Sequence, residues 1–241
     1  MNRNPSLLRL TTLAMLVALG VIISPILRVE GMCPMAHLIN IVCAVLLGPW
    51  YSLLCATVIG ILRMIFMGIP PLALTGAVFG AFFSGVFYRV SNGRLIFGVL
   101  GEIFVTGIIG AIVSAPVMTA LWGYEGLTLF YYVPSFICGT LIGGSVAFLL
   151  LKQLAKNGML FQMQAQLGAK VFDTPVSAVG EALAIAAVGM IAWLAVKVAL
   201  KSFFGLSGAF FDAMPMIVLA LFLIGAAIYY ISSRKEAVHG I

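Results

Sequence analysis

Long stretches of apolar residues without a charged side chain are the feature that most restricts the fold of this chain. One stretch runs from Leu10 to Leu27, and a second, from Gly31 to Leu62, is too long for a single crossing of a membrane. About 20 helical residues cross the hydrocarbon core of a bilayer. The mean hydropathy is +1.20, and 8% of the residues are charged, against about a quarter in soluble domains. The chain is therefore predicted to be an all-α integral membrane protein, because its runs do not alternate in polarity as barrel strands do.

Turn sequences divide this apolar chain into eight predicted helices. Breaks fall at Gly48-Pro49, at MGIPP (67–71), at SNGR (91–94) and at WGYEG (122–126). The predicted helices cover residues 10–27, 36–47, 50–66, 72–89, 95–120, 128–151, 178–200 and 213–232. The second is short for a span, so it is expected to be tilted or to begin within the preceding loop. The first is interpreted as a retained helix and not as a signal peptide, since no small-residue cleavage site follows it.

The composition changes after the sixth predicted helix. Residues 152–177 contain Lys, Gln and Asn side chains, which is typical of a linker and in part of an interfacial amphipathic helix. The predicted domains are a six-helix membrane domain at 1–155, a cytoplasmic or interfacial linker at 156–177 and a two-helix C-terminal extension at 178–241.

The basic residues predict the orientation of the helices in the membrane. If the N-terminus is inside, nine basic residues face the cytoplasm: Arg3, Arg9, Arg89, Arg94, Lys152, Lys156, Lys170, Arg234 and Lys235. Arg28 is then outside, with Lys197 and Lys201 near the outer end of the seventh helix. Cytoplasmic loops carry an excess of Lys and Arg, so both termini are predicted to be cytoplasmic. The net charge of +6 does not indicate nucleic acid, because no basic patch is interleaved with aromatic residues.

Several kinds of chemistry lack their motifs in this sequence. The four cysteines, Cys33, Cys43, Cys55 and Cys138, show neither a CxxC nor a Cys/His spacing, so no metal site and no disulfide framework are predicted. There is no Walker A motif for ATP hydrolysis, and neither HExxH nor GxSxG is present. We therefore predict that the protein is not an enzyme and has no catalytic residue, no metal and no cofactor.

Two alanines in the first helix form a candidate contact surface. Ala14 and Ala18 are four residues apart and therefore lie on one face of a helix. Small residues let helices approach closely within a membrane. The alternatives are packing within this chain or docking of a different subunit. Other small-residue ridges, such as Gly76, Gly80 and Ser84 or Gly139 and Gly143, are interpreted as structural packing.

Polar side chains at membrane depth are candidate site residues because they are costly there. His37 and Asn40 lie three residues apart on one helix face, which suits either a small neutral heterocycle or hydrogen bonds to loop 28–36. Arg63 has two interpretations, snorkelling to the interface or pointing inward to a ligand oxygen. Glu102 is the acidic residue within the first six helices. A proton or cation site is conceivable there, but an ion pair with Arg89 or Arg94, or a subunit contact, is favoured.

Five further residues fall near the predicted outer side, at or close to the depth of His37. Trp122 is interpreted either as part of the aromatic belt or as a stacking partner for an aromatic ligand, as is Tyr124. Thr75, Ser114 and Ser135 supply hydroxyl groups at a similar depth. If the second, fourth, fifth and sixth helices are neighbours, these residues converge with His37 on one outer cavity.

Four stretches of the chain resemble a known transporter family. They are RLTTLAMLVALGVIISP (9–25), HLINIVCAVLLGPWYSLL (37–54), FGAFFSGVFYR (79–89) and LGEIFVTGIIGA (100–111). In their order, their spacing and their residues they resemble the substrate-binding S component of an energy-coupling factor (ECF) vitamin transporter, of the hydroxyethylthiazole type (ThiW family). The resemblance covers about residues 1–155, and residues 156–241 depart from the usual six-helix bundle.

The resemblance implies a function as well as a fold. A six-helix bundle would bind 4-methyl-5-hydroxyethylthiazole, a thiamine precursor, in an outer-facing cavity in the cytoplasmic membrane of a prokaryote. Its AxxxA motif, matched by Ala14 and Ala18, would dock on a transmembrane coupling subunit that two ATP-binding subunits drive, and the S component would topple in the lipid to release its cargo. The implied cavity residues are His37, Asn40, Arg63, Thr75, Ser114, Trp122 and Ser135.

Two other function classes stay open on the sequence. In one, the protein is a self-contained secondary carrier for a small neutral metabolite, in which Glu102 and Glu181 couple ions or protons to transport. In the other, it is a structural membrane protein that has no ligand of its own.

Overall fold

The computed structural model describes residues 5–26, 28, 32–172, 178–198, 200 and 208–239. Two compact units divide the chain, Met1–Thr174 and Pro175–Ile241. The described residues form helices and connections and contain no β-strand, which confirms the predicted fold class. Six helical segments are long and apolar enough to cross a membrane: Pro5–Ile23, Pro49–Met67, Leu72–Val90, Leu95–Trp122, Val133–Lys156 and Ala209–Ser233. Two shorter apolar helices are Pro34–Leu47 and Ala178–Leu194.

The first unit contains nine α-helices among its described residues, with a π-helical segment between the sixth and the seventh. They are α1 (Pro5–Ile23), α2 (Pro34–Leu47), α3 (Pro49–Met67), α4 (Leu72–Thr75), α5 (Val78–Val90), α6 (Leu95–Phe104), the π segment (Val105–Gly110), α7 (Ala111–Trp122), α8 (Val133–Lys156) and α9 (Met159–Gln166). The predicted fourth helix is thus interrupted between α4 and α5. The predicted sixth helix begins five residues later than expected, where Pro134 occupies the first turn of α8.

The second unit consists of two helices that pack against each other, α10 (Ala178–Val198) and α11 (Ala209–His239). They approach closely at Gly189, where an added Cβ would lie 2.4 Å from the Cβ of Phe222. The predicted C-terminal extension is supported in part, because α11 is long enough to span a membrane whereas α10 is among the shorter apolar helices.

The core of the first unit is built around α2. Twelve of its 14 residues are buried, and its neighbours are α1, α3, α5, α6, α8 and α9. Ile41 and Cys43 are completely inaccessible. A helix that is apolar on nearly all sides is stable only when other elements surround it, and the sequence of α2 has this character. The short helix is therefore the centre of the bundle.

A single glycine connects α2 to α3. Gly48 has a φ of +96°, a conformation that residues with a Cβ rarely adopt. A Cβ at this position would also lie 1.9 Å from Nη2 of Arg89, whose guanidinium donates a 3.5 Å hydrogen bond to the carbonyl oxygen of Leu47. Pro49 follows as the first residue of α3. The predicted break at Gly48-Pro49 is confirmed.

Small residues bring the helices of the bundle into close contact. A Cβ at Gly143 of α8 would lie 2.1 Å from the carbonyl oxygen of Pro34 at the start of α2. A Cβ at Gly101 of α6 would lie 2.9 Å from the carbonyl oxygen of Phe83 in α5. The backbones therefore approach more closely than any larger residue permits, which confirms the packing role predicted for such positions.

Residues 159–172, here called the basal segment, pack onto the end of the bundle where α2 meets α3. Gln164 is completely buried, and its Nε2 donates hydrogen bonds to the carbonyl oxygen of Val45 (3.0 Å) and to Oη of Tyr88 (3.1 Å). The guanidinium of Arg9 donates to the carbonyl oxygens of Leu167 and Gly168. The segment therefore connects the start of α1 to the ends of α2 and α5.

Candidate functional site

A cavity of about 540 Å³ opens at the other end of the first unit. The connections α1–α2, α3–α4 and α7–α8 surround it, together with the first turns of α2 and α8. Its polar wall residues are Arg28, Cys33, His37, Arg63, Tyr124, Glu125, Tyr131, Tyr132 and Ser135. Its larger apolar wall residues include Met32, Ile69, Leu72, Met118, Leu127 and Phe136. A mostly apolar cavity of this size with a few convergent polar groups is typical of a site for a small organic ligand.

An aromatic wall is anchored in the core of the bundle. Tyr132 and Phe136 pack with Ala111, Ala115 and Met118 of α7 in one buried cluster. Burial raises the pKa of Tyr132, and the neighbouring Tyr124 and Tyr131 add to this shift. The phenol of Tyr132 therefore stays protonated at neutral pH and can act as a hydrogen-bond donor to a ligand.

Behind the cavity wall, four side chains form a hydrogen-bonded group, here called the Glu102 unit (His37, Asn40, Glu102 and Thr106). Oε1 of Glu102 accepts hydrogen bonds from Nδ2 of Asn40 (2.9 Å) and Oγ1 of Thr106 (3.3 Å), and it is hydrogen-bonded to Nδ1 of His37 at 2.8 Å. Glu102 is completely buried. The favoured ion pair between Glu102 and Arg89 or Arg94 is therefore wrong, because the carboxylate points into the bundle towards α2.

Helix geometry explains how these residues meet. His37 and Asn40 share one face of α2, as their spacing predicts. Thr106 lies in the π segment, four residues after Glu102, so its hydroxyl reaches back to the carboxylate. Across the group, Gly80 of α5 leaves the necessary space, since a Cβ there would lie 1.9 Å from Oγ1 of Thr106 and 2.8 Å from Oε2 of Glu102.

Arg63 is buried in the cavity wall, with 4% of its surface exposed. Its Nη2 donates to Sγ of Cys33 at 3.2 Å, and its Nε has no acceptor among the described residues. The thiol of Cys33 donates in turn to the carbonyl oxygen of Ser24 at 2.9 Å. No described carboxylate forms an ion pair with this guanidinium. Arg63 thus points inward, and the snorkelling interpretation is wrong.

The seven predicted site residues fall into three groups. His37, Arg63 and Ser135 line the cavity. Asn40 lies behind His37, and Thr75 and Ser114 are joined by a 2.7 Å hydrogen bond outside the cavity lining. Trp122, at the end of α7, is 47% exposed and is also outside the lining. The assignment of all seven residues to a ligand stays a prediction.

Several wall residues were not among the predicted site residues. The polar ones are Arg28, Cys33, Glu125, Tyr131 and Tyr132, together with Tyr124, which was considered only beside Trp122. The aromatic sequence FYYVPSF (130–136) is the signal that indicates this wall. No group of three metal-ligating side chains occurs in the described part of the chain.

The two alanines of α1 are exposed. The buried residues of this helix are Leu13, Leu16 and Gly20, which face α2 and α3. Ala14 and Ala18 lie on the opposite side. Packing within the described part of this chain therefore does not account for them.

Comparison with protein families identifies this bundle. A family model described as thiamine-precursor transporter protein (ThiW) matches residues 10–157. Comparison with curated proteins and with solved structures gives no match. The matched region covers more than half of the sequence and includes every helix that surrounds the cavity. It confirms the resemblance drawn from the four sequence stretches, and the chain belongs to the ThiW family of thiamine-precursor transporter proteins.

Proposed function

We propose that the protein is the substrate-binding membrane subunit of an ATP-driven ECF importer for hydroxyethylthiazole or a related thiamine-pathway compound. Family membership already implies a thiamine-precursor transporter and not an enzyme. The observation that supports the finer proposal is the 540 Å³ cavity, which combines an aromatic wall with the polar side chains of His37, Arg63 and Ser135.

The chemistry of the wall suits a small heterocycle with one hydroxyl group. Tyr131, Tyr132 and Phe136 offer aromatic faces and edges against which a thiazole ring can pack. The guanidinium of Arg63 offers unused donors for a ring nitrogen or a ligand oxygen. In this proposal Ser135 is a direct contact, whereas Asn40, Thr75 and Ser114 support the wall and Trp122 lies at its rim.

The proposal places the source of energy outside this chain. The sequence has no Walker A motif, and Ala14 and Ala18 present an exposed strip of small residues. We propose that this strip docks on a transmembrane coupling subunit, which two ATP-binding subunits drive. The protein then lies in the cytoplasmic membrane of a prokaryote, with its cavity facing outward and with the basal segment and both termini on the cytoplasmic side.

A second function is favoured by one specific observation. The Glu102 unit places a buried carboxylate and an imidazole directly behind a ligand cavity. Such pairs serve as proton sites in carriers that work without ATP. A proton-coupled carrier for a small neutral metabolite is therefore the alternative.

Ligand binding by the purified full-length protein tests the proposed function. We expect calorimetry to show saturable binding of hydroxyethylthiazole with a one-to-one stoichiometry. Replacing Arg63 with Met removes donors of the cavity wall and should weaken binding about tenfold or more, because a hydrogen bond to a charged group contributes about 1.5–3 kcal/mol.

Arg94→Met provides the matched control, since Arg94 lies at the start of α6 and outside the cavity lining. This variant should bind like the wild type. If the protein binds neither hydroxyethylthiazole nor thiamine saturably, the ligand assignment is refuted.

A further inference from the structure

Three side chains of the Glu102 unit, those of Asn40, Glu102 and Thr106, lie behind the cavity wall and do not line the cavity. Of its members, His37 lines the cavity and Glu102 is completely buried behind it. Nδ1 of His37 lies 2.8 Å from Oε1 of Glu102, and this oxygen is already an acceptor, because it takes a hydrogen bond from the amide NH₂ of Asn40, which can only donate. Nδ1 therefore carries a proton that it donates to Glu102.

This contact decides what the other nitrogen of the ring can do. When Nδ1 of a neutral imidazole carries the proton, Nε2 is a hydrogen-bond acceptor. Gly139 of α8 packs beside Nε2, since a Cβ added there would be in ordinary contact with it at 3.6 Å, and 10% of the side-chain surface of His37 remains exposed at the cavity. Nε2 is the polar ring atom of His37 that remains for a ligand.

The arrangement around Glu102 is costly for a purely structural network. Oε1 accepts three hydrogen bonds, whereas Oε2 is buried with no partner among the described residues. Buried polar networks that only stabilise a fold are normally satisfied at every atom. Thr106 joins the network from a π-helical segment, a deviation that is frequent at functional sites. The free-energy cost of leaving Oε2 without a partner is explained if the unit serves to fix the orientation of His37.

We propose that Glu102 is a positioning residue, which fixes His37 so that Nε2 accepts a hydrogen bond from a hydroxyl group of the ligand. The cavity therefore selects an alcohol-bearing precursor over analogues that lack a hydroxyl hydrogen. This inference rests on the proposed function, because it concerns the ligand of the same cavity. Asn40 and Thr106 assist by holding the carboxylate in place.

Two probes of similar size test the selection. Hydroxyethylthiazole can donate a hydrogen bond, whereas its 2-chloroethyl analogue cannot. We expect the full-length wild type to bind the hydroxyl compound about tenfold more tightly or better, because an unmatched buried acceptor weakens binding. In Glu102→Gln, a glutamine can present either its carbonyl or its NH₂ group to Nδ1, so the tautomer is no longer imposed. The ratio of the two dissociation constants should fall below about threefold.

Thr140→Ala is the matched control. Thr140 is also completely buried, but its hydroxyl donates to carbonyl oxygens of its own helix and lies outside the cavity lining. This variant should keep the selectivity of the wild type. A ratio of affinities reports the site and not the folded fraction, so a general loss of stability does not imitate the expected result.

A spectroscopic measurement tests the tautomer of His37 without a ligand. The sequence contains two histidines, His37 and His239, and His239→Gln leaves one imidazole to observe. The ¹⁵N chemical shifts of His37 should report a protonated Nδ1 and an unprotonated Nε2 at neutral pH. In Glu102→Gln the signals should shift towards a mixture of the two tautomers.

The outcomes separate this inference from the proposed function. If the wild type binds both probes equally tightly, the hydroxyl selection is overturned while the cavity remains a thiazole site. A proton on Nε2 of the wild-type protein also overturns the inference. If neither probe binds saturably, the proposed function fails and the hydroxyl selection fails with it.

Discussion

Gln164 is the residue that attaches the basal segment to the bundle most directly. Its Nε2 donates to the carbonyl oxygen of Val45 and to Oη of Tyr88, and its side chain is completely inaccessible. If the amide is removed, both partners keep their polar groups but lose this donor. A buried group left without its partner costs about 1–3 kcal/mol.

We therefore expect Gln164→Leu to lower the thermal stability of the purified protein. The free energy of unfolding should fall by about 1–3 kcal/mol, and a lower melting temperature in detergent would show it. Gln162→Leu is the control, because Gln162 is exposed in the same helix. Equal melting temperatures of the two variants would show that Gln164 does not hold the segment. Binding of hydroxyethylthiazole should persist in both, since the cavity lies at the opposite end of the first unit.

At this scale the sequence predicts which residues share a helix face, but not what lies opposite. The spacing of His37 and Asn40 places them together on α2, and both contact Glu102. The ion pair predicted between Glu102 and Arg89 or Arg94, by contrast, rests on the proximity of Glu102 in sequence to a basic loop. Eight residues of helix separate Glu102 from Arg94, which is about 12 Å along the axis. The carboxylate is therefore well inside the bundle, where its partners come from other helices.

Among the elements, α1 is distinguished by how little of it is buried. Leu13, Leu16 and Gly20 hold it against α2 and α3, and the opposite side is exposed. On that side the small side chains of Ala14 and Ala18 lie among larger ones such as Leu10 and Met15, which are 60% and 61% exposed. They form a shallow groove into which another helix can fit.

Tryptophan substitutions test whether this groove docks a coupling subunit. Ala14→Trp and Ala18→Trp fill it with bulky rings, so we expect both to prevent co-purification with the coupling subunit. Binding of hydroxyethylthiazole should be unchanged, because neither alanine lines the cavity.

Leu19→Trp is the control for the effect of a large side chain on α1. Leu19 is 47% exposed and lies about 100° around the helix from Ala18. This variant should still assemble. Intact assembly of the two alanine variants would contradict the docking proposal.

Hydropathy and turn sequences predict the main breaks between helices well, because both are local signals. The Gly48-Pro49 break is an example, and Arg89 adds a tertiary reason for the glycine. The interruption between α4 and α5 and the π segment were not predicted. Both lie in sequences that are apolar on all sides, so no periodicity marks where the helix departs from regular geometry. The close contacts of Gly76 with the ring of Phe136, and of Gly80 with Thr106, are visible only in three dimensions.

At the scale of the whole molecule, the main functional question is which source of energy drives transport of the ligand. The cavity lies at one end of the first unit and the basal segment at the other, and the sequence has no nucleotide-binding motif. The proposed import would draw its energy either from partner subunits that hydrolyse ATP or from an ion gradient. The family match over residues 10–157 supports a thiamine-precursor transporter but does not distinguish these two sources.

Reconstitution in liposomes distinguishes the two sources of energy. We expect uptake of labelled hydroxyethylthiazole only when the coupling subunit, the ATP-binding subunits and ATP are all present. A proton gradient applied to liposomes that contain this protein alone should produce no uptake. Gradient-driven uptake by the protein alone, abolished in Glu102→Gln, would instead establish the carrier. Liposomes without protein control for passive diffusion of the small neutral ligand.

The position of Cys33 has a practical consequence for following this site. Its sulfur lies in the cavity wall and is partly accessible, whereas Cys43 and Cys55 are completely buried. The native chain thus carries a thiol where cargo would sit. An alkylating reagent small enough to enter can compete with cargo for the same space. The rate at which Cys33 is alkylated then reports how far the cavity is occupied. Mass spectrometry can measure this rate in the native sequence, without an engineered cysteine.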